Sequence, residues 1–243
     1  MLWGRYASRG SEARYPQLWQ GRVFGVCPSV QGPAGLNVYD LSGGGKHGTL
    51  NNMDPPTDWV RASGRYVLDM DGSNDFVQFP ATTASTQQTV AIHVSLRTAN
   101  VIVGGGTNIY AFYVDSLNAS GSIYYSVGNF VSVVHGGLSS QWAHLAVVRN
   151  GVSVTFYKNG IQIGNTQTLP TNTAQSLQYI ARENGGFHSS MQWDDLAIYN
   201  RALSAGEIRL LATRRGIAYE SRRDIVFGST ANRRRRILCG DYS

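Results

Sequence analysis

The chain has 243 residues, of which 42% are hydrophobic and 15% charged, with a formal net charge of +6. This allows one large domain or two small ones with a sizeable core and a lightly charged surface. No apolar run approaches the roughly 20 residues of a membrane-spanning helix, and the N-terminal stretch carries Arg5, Arg9 and Arg14 without the apolar region of a Sec signal peptide. The charge is uneven. Residues 1–213 hold 13 Lys and Arg against 12 Asp and Glu, whereas residues 214–243 hold 8 Arg against 3 acids. The body is near neutral and the tail is basic. The two cysteines, Cys27 and Cys239, lie at opposite ends. They pair only if the tail folds back, and two free thiols in a reducing compartment is the expectation.

Residues 1–34 form a leader rich in Arg, aromatics and Gly, with an apolar segment at 22–27 that could be a first strand. Trp3, Tyr6, Tyr15 and Trp19 are many aromatics for a disordered arm. They either pack back on the body or anchor the arm on a neighbouring subunit. A strand is expected at 37–41, followed by a glycine-dense loop that lacks the spacing of a phosphate-binding loop. Residues 66–70 and 76–79 alternate like two hairpin strands around the Asp71-Gly-Ser-Asn-Asp75 turn. Residues 89–98 alternate with Val90, Ile92, Val94 and Leu96 on one face, and further strands are expected at 109–114 and 122–127. Residues 141–164 read as a meander whose turns are Asn150-Gly151 and Asn159-Gly160. After a strand at 176–181 comes a long strand through Met191, Trp193, Leu196, Ile198 and Tyr199, with the bias of one packed on both sides. Ser204 then stands as an N-cap, with Glu207 completing a capping box for one short helix. Antiparallel strands at this spacing predict an all-β fold, a two-sheet sandwich or jelly roll, with one short C-terminal helix.

Five blocks occur in order: D-x-S-G-x-x-x-H-G-T-L at 40–50, D-G-x-x-D-F-V at 71–77, W-x-H-L-A-V-V-R at 142–149, Y-x-N-G at 157–160 and D-D-L-A-I-Y-N-R-A-L-S-x-x-E-I at 194–208. Together they resemble the laminin-G-like jelly roll of the concanavalin A-like lectin/glucanase superfamily. The resemblance covers about residues 35–211 and divides the chain into an N-terminal arm (1–34), a jelly roll (35–213) and an Arg-rich docking tail (214–243). The superfamily includes sugar-binding modules, glucanases and structural domains, so the fold alone does not give the function. Tyr15-Pro-Gln-Leu-Trp19 and Arg215-Gly-Ile-Ala-Tyr-Glu220 are similar to flanks of tailed-phage virion proteins built on this jelly roll. That resemblance implies a non-enzymatic capsid decoration or cement protein. It would be attached through its arms to other virion proteins and to further copies of itself.

No catalytic set emerges. The four glutamates are isolated, and Asp194 and Asp195 are adjacent, which in a regular strand sends their side chains to opposite faces. The five histidines form no ligand set. His144 reads as a packed, hydrogen-bonded strand residue, and His47 as a partner of loop backbone. The resemblance makes calcium the metal to test, with Asp40, Asp71, Asn74, Asp75 and Asp195 as oxygen donors in turns or at a strand end. Asp and Asn also cap turns locally. A glycan site needs exposed aromatics. The candidates are Tyr110, Tyr113, Tyr124, Tyr125 and Phe130, with Tyr124 and Tyr125 foremost, and the competing reading is that they are core. In the tail, Arg214, Arg215, Arg222, Arg223, Arg233, Arg234, Arg235 and Arg236 are interleaved with apolar residues and are expected to dock on partner proteins. Too few aromatics accompany them to suggest nucleic acid.

Overall fold

The structure, a computed structural model, describes residues 13–184 and 186–220. Its strands form two antiparallel sheets of eight strands each. The first sheet runs β14 (Ile161–Thr168), β13 (Ser153–Lys158), β12 (Ala143–Asn150), β7 (Gln87–Leu96), β16 (Ser190–Tyr199), β5 (Arg65–Asp71) and β4 (Trp59–Ala62). β1 (Arg22–Val26) pairs with the second half of β16, beyond the part that β5 occupies. The second sheet runs β11 (Phe130–Val134), β10 (Ser122–Val127), β9 (Ile109–Val114), β8 (Val101–Gly104), β15 (Tyr179–Ile180), β6 (Phe76–Gln78), β3 (Gly48–Asn51) and β2 (Asn37–Val38). This is the expected jelly-roll sandwich.

Period-two alternation builds the core. Val90, Ile92, Val94 and Leu96 of β7 face inward with Leu145 and Val147 of β12 and Met191, Trp193, Leu196 and Ile198 of β16. They meet Val103, Phe112, Ile123 and Tyr125 from the second sheet. The alternate residues Ala91, Ala146, Val148, Ala197 and Tyr199 form a second apolar layer on the outer face of the first sheet. There α3 (Ala205–Leu211), longer than the four-residue helices α1 (Pro28–Gln31) and α2 (Pro55–Asp58), packs through Ile208 and Leu211. Ser204 caps it: its Oγ accepts from Glu207 N, and Glu207 Oε2 accepts from Ser204 N at 2.8 Å. Asn159 and Gly160 have φ of 52° and 78°, the backbone a tight hairpin turn demands. A Cβ on Gly160 would also lie 3.0 Å from the Cα of Arg209, so glycine lets the helix sit on the hairpin tip.

Two expectations are corrected. β5 and β6 are not a hairpin. β5 pairs with β4 and β16 in the first sheet, while β6 pairs with β3 and β15 in the second, so residues 71–75 arch between sheets. Asp194 and Asp195 do not point to opposite faces. Asp195 adopts φ of 50°, and the register against β7 slips between Asp194, opposite His93, and Ala197, opposite Ala91. This bulge leaves both carboxylates among groups of the outer face. Residues of the leader and of the tail pack on the body. Leu18 from the leader and Ile217 and Ala218 from the tail are buried in the outer apolar layer. Arg14 N donates to Glu220 O at 2.8 Å, and Trp19 Nε1 to Ala218 O at 2.8 Å. Arg201 ties leader to helix, donating to Gln17 O, Gln20 O and the Glu207 carboxylate.

Candidate functional site

The outer face of the second sheet carries a row of rings. Tyr110 and Tyr113 project from β9, Tyr124 from β10, and Phe130 opens β11. Each neighbouring pair of rings is separated by 5.5 Å between centroids, with tilted or edge-on planes. Phe130 is 62% exposed, and Phe187, which lines the same depression, is 54% exposed. The depression has a volume of about 340 Å3 and also meets Asn108, Asp115 and Glu183. Asp115 positions the row. Its Oδ1 accepts from Ser122 N and its Oδ2 from the Tyr124 hydroxyl at 2.9 Å. That bond raises the Tyr124 pKa, because the neighbouring carboxylate holds the phenolic proton. Glu183 is buried and accepts from Asn108 N at 2.7 Å. Both carboxylates therefore hold backbone or phenol groups. Apolar rings with a few oxygen and nitrogen atoms at the rim are the chemistry that stacks on, and hydrogen-bonds to, a small polar ligand.

Of the expected glycan residues, the structure brings Tyr110, Tyr113, Tyr124 and Phe130 together and takes Tyr125 away. Strand parity turns Tyr125 into the core, where it is fully buried and its phenol is pushed up to about 12 by burial. Phe187, Asn108, Asp115 and Glu183 were not among the sequence candidates. They come from loops and strand ends whose convergence depends on the whole sheet.

The expected calcium donors do not converge. Asp40 accepts from Gly25 N, Ser42 N and Lys46 N, and its loop is further held by Asp40 N donating to His47 Nδ1. Asp71 and Asp75 brace the inter-sheet arch through Ser73 N and Asp71 N, and the Asn74 carbonyl accepts from the Asn52 side chain. Asp195 accepts from Gly216 N at 2.7 Å. Among the described residues no three His, Cys, Asp or Glu side chains group so as to hold a metal ion. These carboxylates serve as acceptors for backbone N–H groups.

Two tail arginines fall among the described residues, Arg214 exposed and Arg215 half-buried. Arg214 pairs with Glu220, and Arg215 places Nε 3.7 Å from Asp194 Oδ2 and lies over the Trp142 ring at 4.5 Å. Arg215 is thus engaged by the body, whereas Arg214 pairs within the tail. Arg222, Arg223, Arg233, Arg234, Arg235 and Arg236 lie outside the described residues, as does Cys239.

Arg215 belongs to a polar cluster that sequence reading missed. Asp194 Oδ1 accepts from Ser29 N, Asp195 N and the Cys27 thiol. Burial, reinforced by the Asp195 charge, pushes the Asp194 carboxyl up to about 6. Burial, with both carboxylates nearby, also raises the Cys27 thiol well above its usual range. His93 and His144 stand beside this cluster, buried, and neither Nδ1 has a hydrogen-bond partner. His144 is packed as expected, but its Nδ1 is unbonded. The only sequence signal was the D-D pair in a strand.

With the geometry established, comparison with known proteins identifies the family. The Laminin_G_3 family, described as the concanavalin A-like lectin/glucanases superfamily, matches residues 71–209, and the chain belongs to it. Similar solved structures include a Trypanosoma rangeli sialidase at 14% identity and TM-score 0.57, covering 79% of this chain and 32% of that one. The binding domain of Paraclostridial Mosquitocidal Protein 1 is similar at 16% identity and TM-score 0.58, covering 81% and 52%. The botulinum neurotoxin serotype D binding domain is similar at 11% identity and TM-score 0.60, also covering 81% and 52%. The chain spans about a third to a half of these structures, and at such identities the likeness is one of fold. A search of curated proteins finds no match. Among the described residues no helix is long and apolar enough to cross a membrane.

Proposed function

We propose that the chain is a non-catalytic carbohydrate-binding module that takes a sugar on the aromatic face of its second sheet. The observation that carries this reading is the row Tyr110, Tyr113, Tyr124 and Phe130, with adjacent centroids 5.5 Å apart, bordering a depression with polar atoms at its rim. A sugar ring has an apolar face that stacks on aromatics and hydroxyls that bond to groups such as Asp115 and Asn108. The lectin-type fold, shared with two toxin binding domains among the similar structures, supports the class of function. The non-catalytic part rests on Asp115 and Glu183, the carboxylates at the depression, each holding a structural hydrogen bond. A glycan array with and without EDTA tests the reading. Saturable binding that survives EDTA and is lost in Tyr124→Ala and Phe130→Ala supports it; absence of glycan binding, or binding unchanged in both variants, overturns it.

A second reading has its own support. Leader and tail are bonded to one another at Arg14 and Glu220, so the two ends of the described region lie together on the body. That arrangement suits a structural protein of a phage virion, such as a capsid decoration protein, held to other virion subunits through its ends, with multivalent contacts strengthening attachment. Removing 221–243 spares Ile217 and Ala218, and normal particle attachment by that truncated protein would defeat the reading.

A further inference from the structure

A second cavity, of about 390 Å3, lies on the opposite side of the sandwich from the aromatic row, between the first sheet and the segment after α3. Its walls include Arg65 of β5, His93 of β7, Trp142 and His144 at the start of β12, and Arg214 and Arg215. Three guanidinium groups line it and no carboxylate does. Asp194 and Asp195 sit outside the lining, with Asp194 reached through Arg215 Nε, and Glu220 is engaged by Arg14 and Arg214. Buried polar atoms in folded proteins nearly always have a partner. Here three lining residues carry buried nitrogens without one: His93 Nδ1, His144 Nδ1 and Arg215 Nη1. Arg215 is held in place by Nη2 donating to Ala62 O and by the Trp142 ring beneath it, and Arg65 Nη1 braces the Arg215 carbonyl at 2.8 Å. The donors are therefore fixed before any ligand arrives, which lowers the ordering cost of binding. The volume falls in the range of about 300–1,000 Å3 typical of small-molecule sites.

We propose that this cavity is a second binding site, separate from the aromatic row, for a small molecule carrying an oxyanion, either a carboxylate or a phosphate. The arginines supply charge-assisted hydrogen bonds, the fork geometry suits a planar or tetrahedral oxyanion, and the paired imidazoles offer further N–H donors. Trp142, half-buried beside the guanidinium, offers an apolar wall to the rest of the ligand. The site does not depend on the aromatic row binding sugar.

The test is titration of the full chain with inorganic phosphate, with glucuronate and with neutral glucose, followed by NMR of the histidine ring nitrogens. Phosphate or glucuronate should shift His93 and His144 saturably while glucose does not. Response to phosphate alone assigns a phosphorylated ligand, and response to glucuronate a carboxylate-bearing one. Arg65→Gln and Arg214→Gln, both at exposed positions, should each weaken binding about tenfold or more with an unchanged circular dichroism spectrum. No saturable shift with either anion, an equal response to glucose, or full affinity in both folded variants would overturn the proposal.

Discussion

His93 and His144 stand directly opposite each other in the β7–β12 pairing, with ring centroids 4.8 Å apart. Burial lowers the pKa of both, and for His144 the neighbouring His93 adds to the effect. The unfolded chain takes up protons near the usual histidine pKa of about 6.5, and the folded protein refuses them. This contribution to stability is complete above that pH and is lost as the pH falls. Asp194 acts in the opposite sense. Its carboxyl is held at about 6 in the fold, so its contribution is present at low pH and is lost as the pH rises from about 4 through 6, by up to about 3 kcal/mol. The two trends offset one another between roughly pH 4 and 6.5. Asp194→Asn should remove the second and leave a steeper fall in the urea midpoint from pH 7 to 5 than in the wild type. His144→Gln should make that fall shallower. Parallel curves for all three proteins would refute the account.

Tyr124 and Tyr125 are neighbours in β10 with different burial. Tyr125→Ala empties a fully buried site and strips Arg149 of a contact at 3.5 Å, at a cost of about 3–5 kcal/mol. Tyr124→Ala removes a ring from the outer row and should cost under about 1 kcal/mol. Thermal unfolding of the two variants separates the roles, and equal losses would contradict the parity of the strand.

The single capped helix gives a local prediction. Ser204→Ala removes the acceptor for Glu207 N and should cost about 1 kcal/mol. Amide exchange at Glu207 should speed up while the strands keep their protection.

Gly72 lies in the arch between the sheets at φ of 86°, and a Cβ there would come within 2.8 Å of Ser190. Gly72→Ala combines left-handed strain with a backbone clash, and a loss of about 1–3 kcal/mol is expected in denaturant unfolding. Wild-type stability would mean that the arch has another path.

Cys27 is buried and its thiolate is disfavoured by burial and by Asp194 and Asp195. Peptide mapping after iodoacetamide treatment should find it unmodified in native protein and modified after denaturation.

Where neighbours in sequence decide the structure, the sequence was readable. Asn159-Gly160, the Ser204 cap and the inward face of β7 follow from turn chemistry, capping and period two. The Asp71–Asp75 turn was not, because the same turn residues serve a hairpin or an arch, and distant partners choose between them. The aromatic row was half legible. The residue types were visible, but whether Tyr124 or Tyr125 faces outward depends on register. The polar cluster was hidden because a one-residue bulge at Asp195 resets the alternation of β16. Its members also come from the segment after β1, from β7, β12 and the tail, which only the finished sandwich brings together.

The joined leader and tail lie against the outer layer of the first sheet, and the rings of Tyr113, Tyr124 and Phe130 lie across the second. A partner that grips Arg14 and Glu220 therefore holds the molecule from behind and leaves its front unobstructed. A display scaffold that grips this place exploits that polarity directly, since the ring-bearing surface looks the other way.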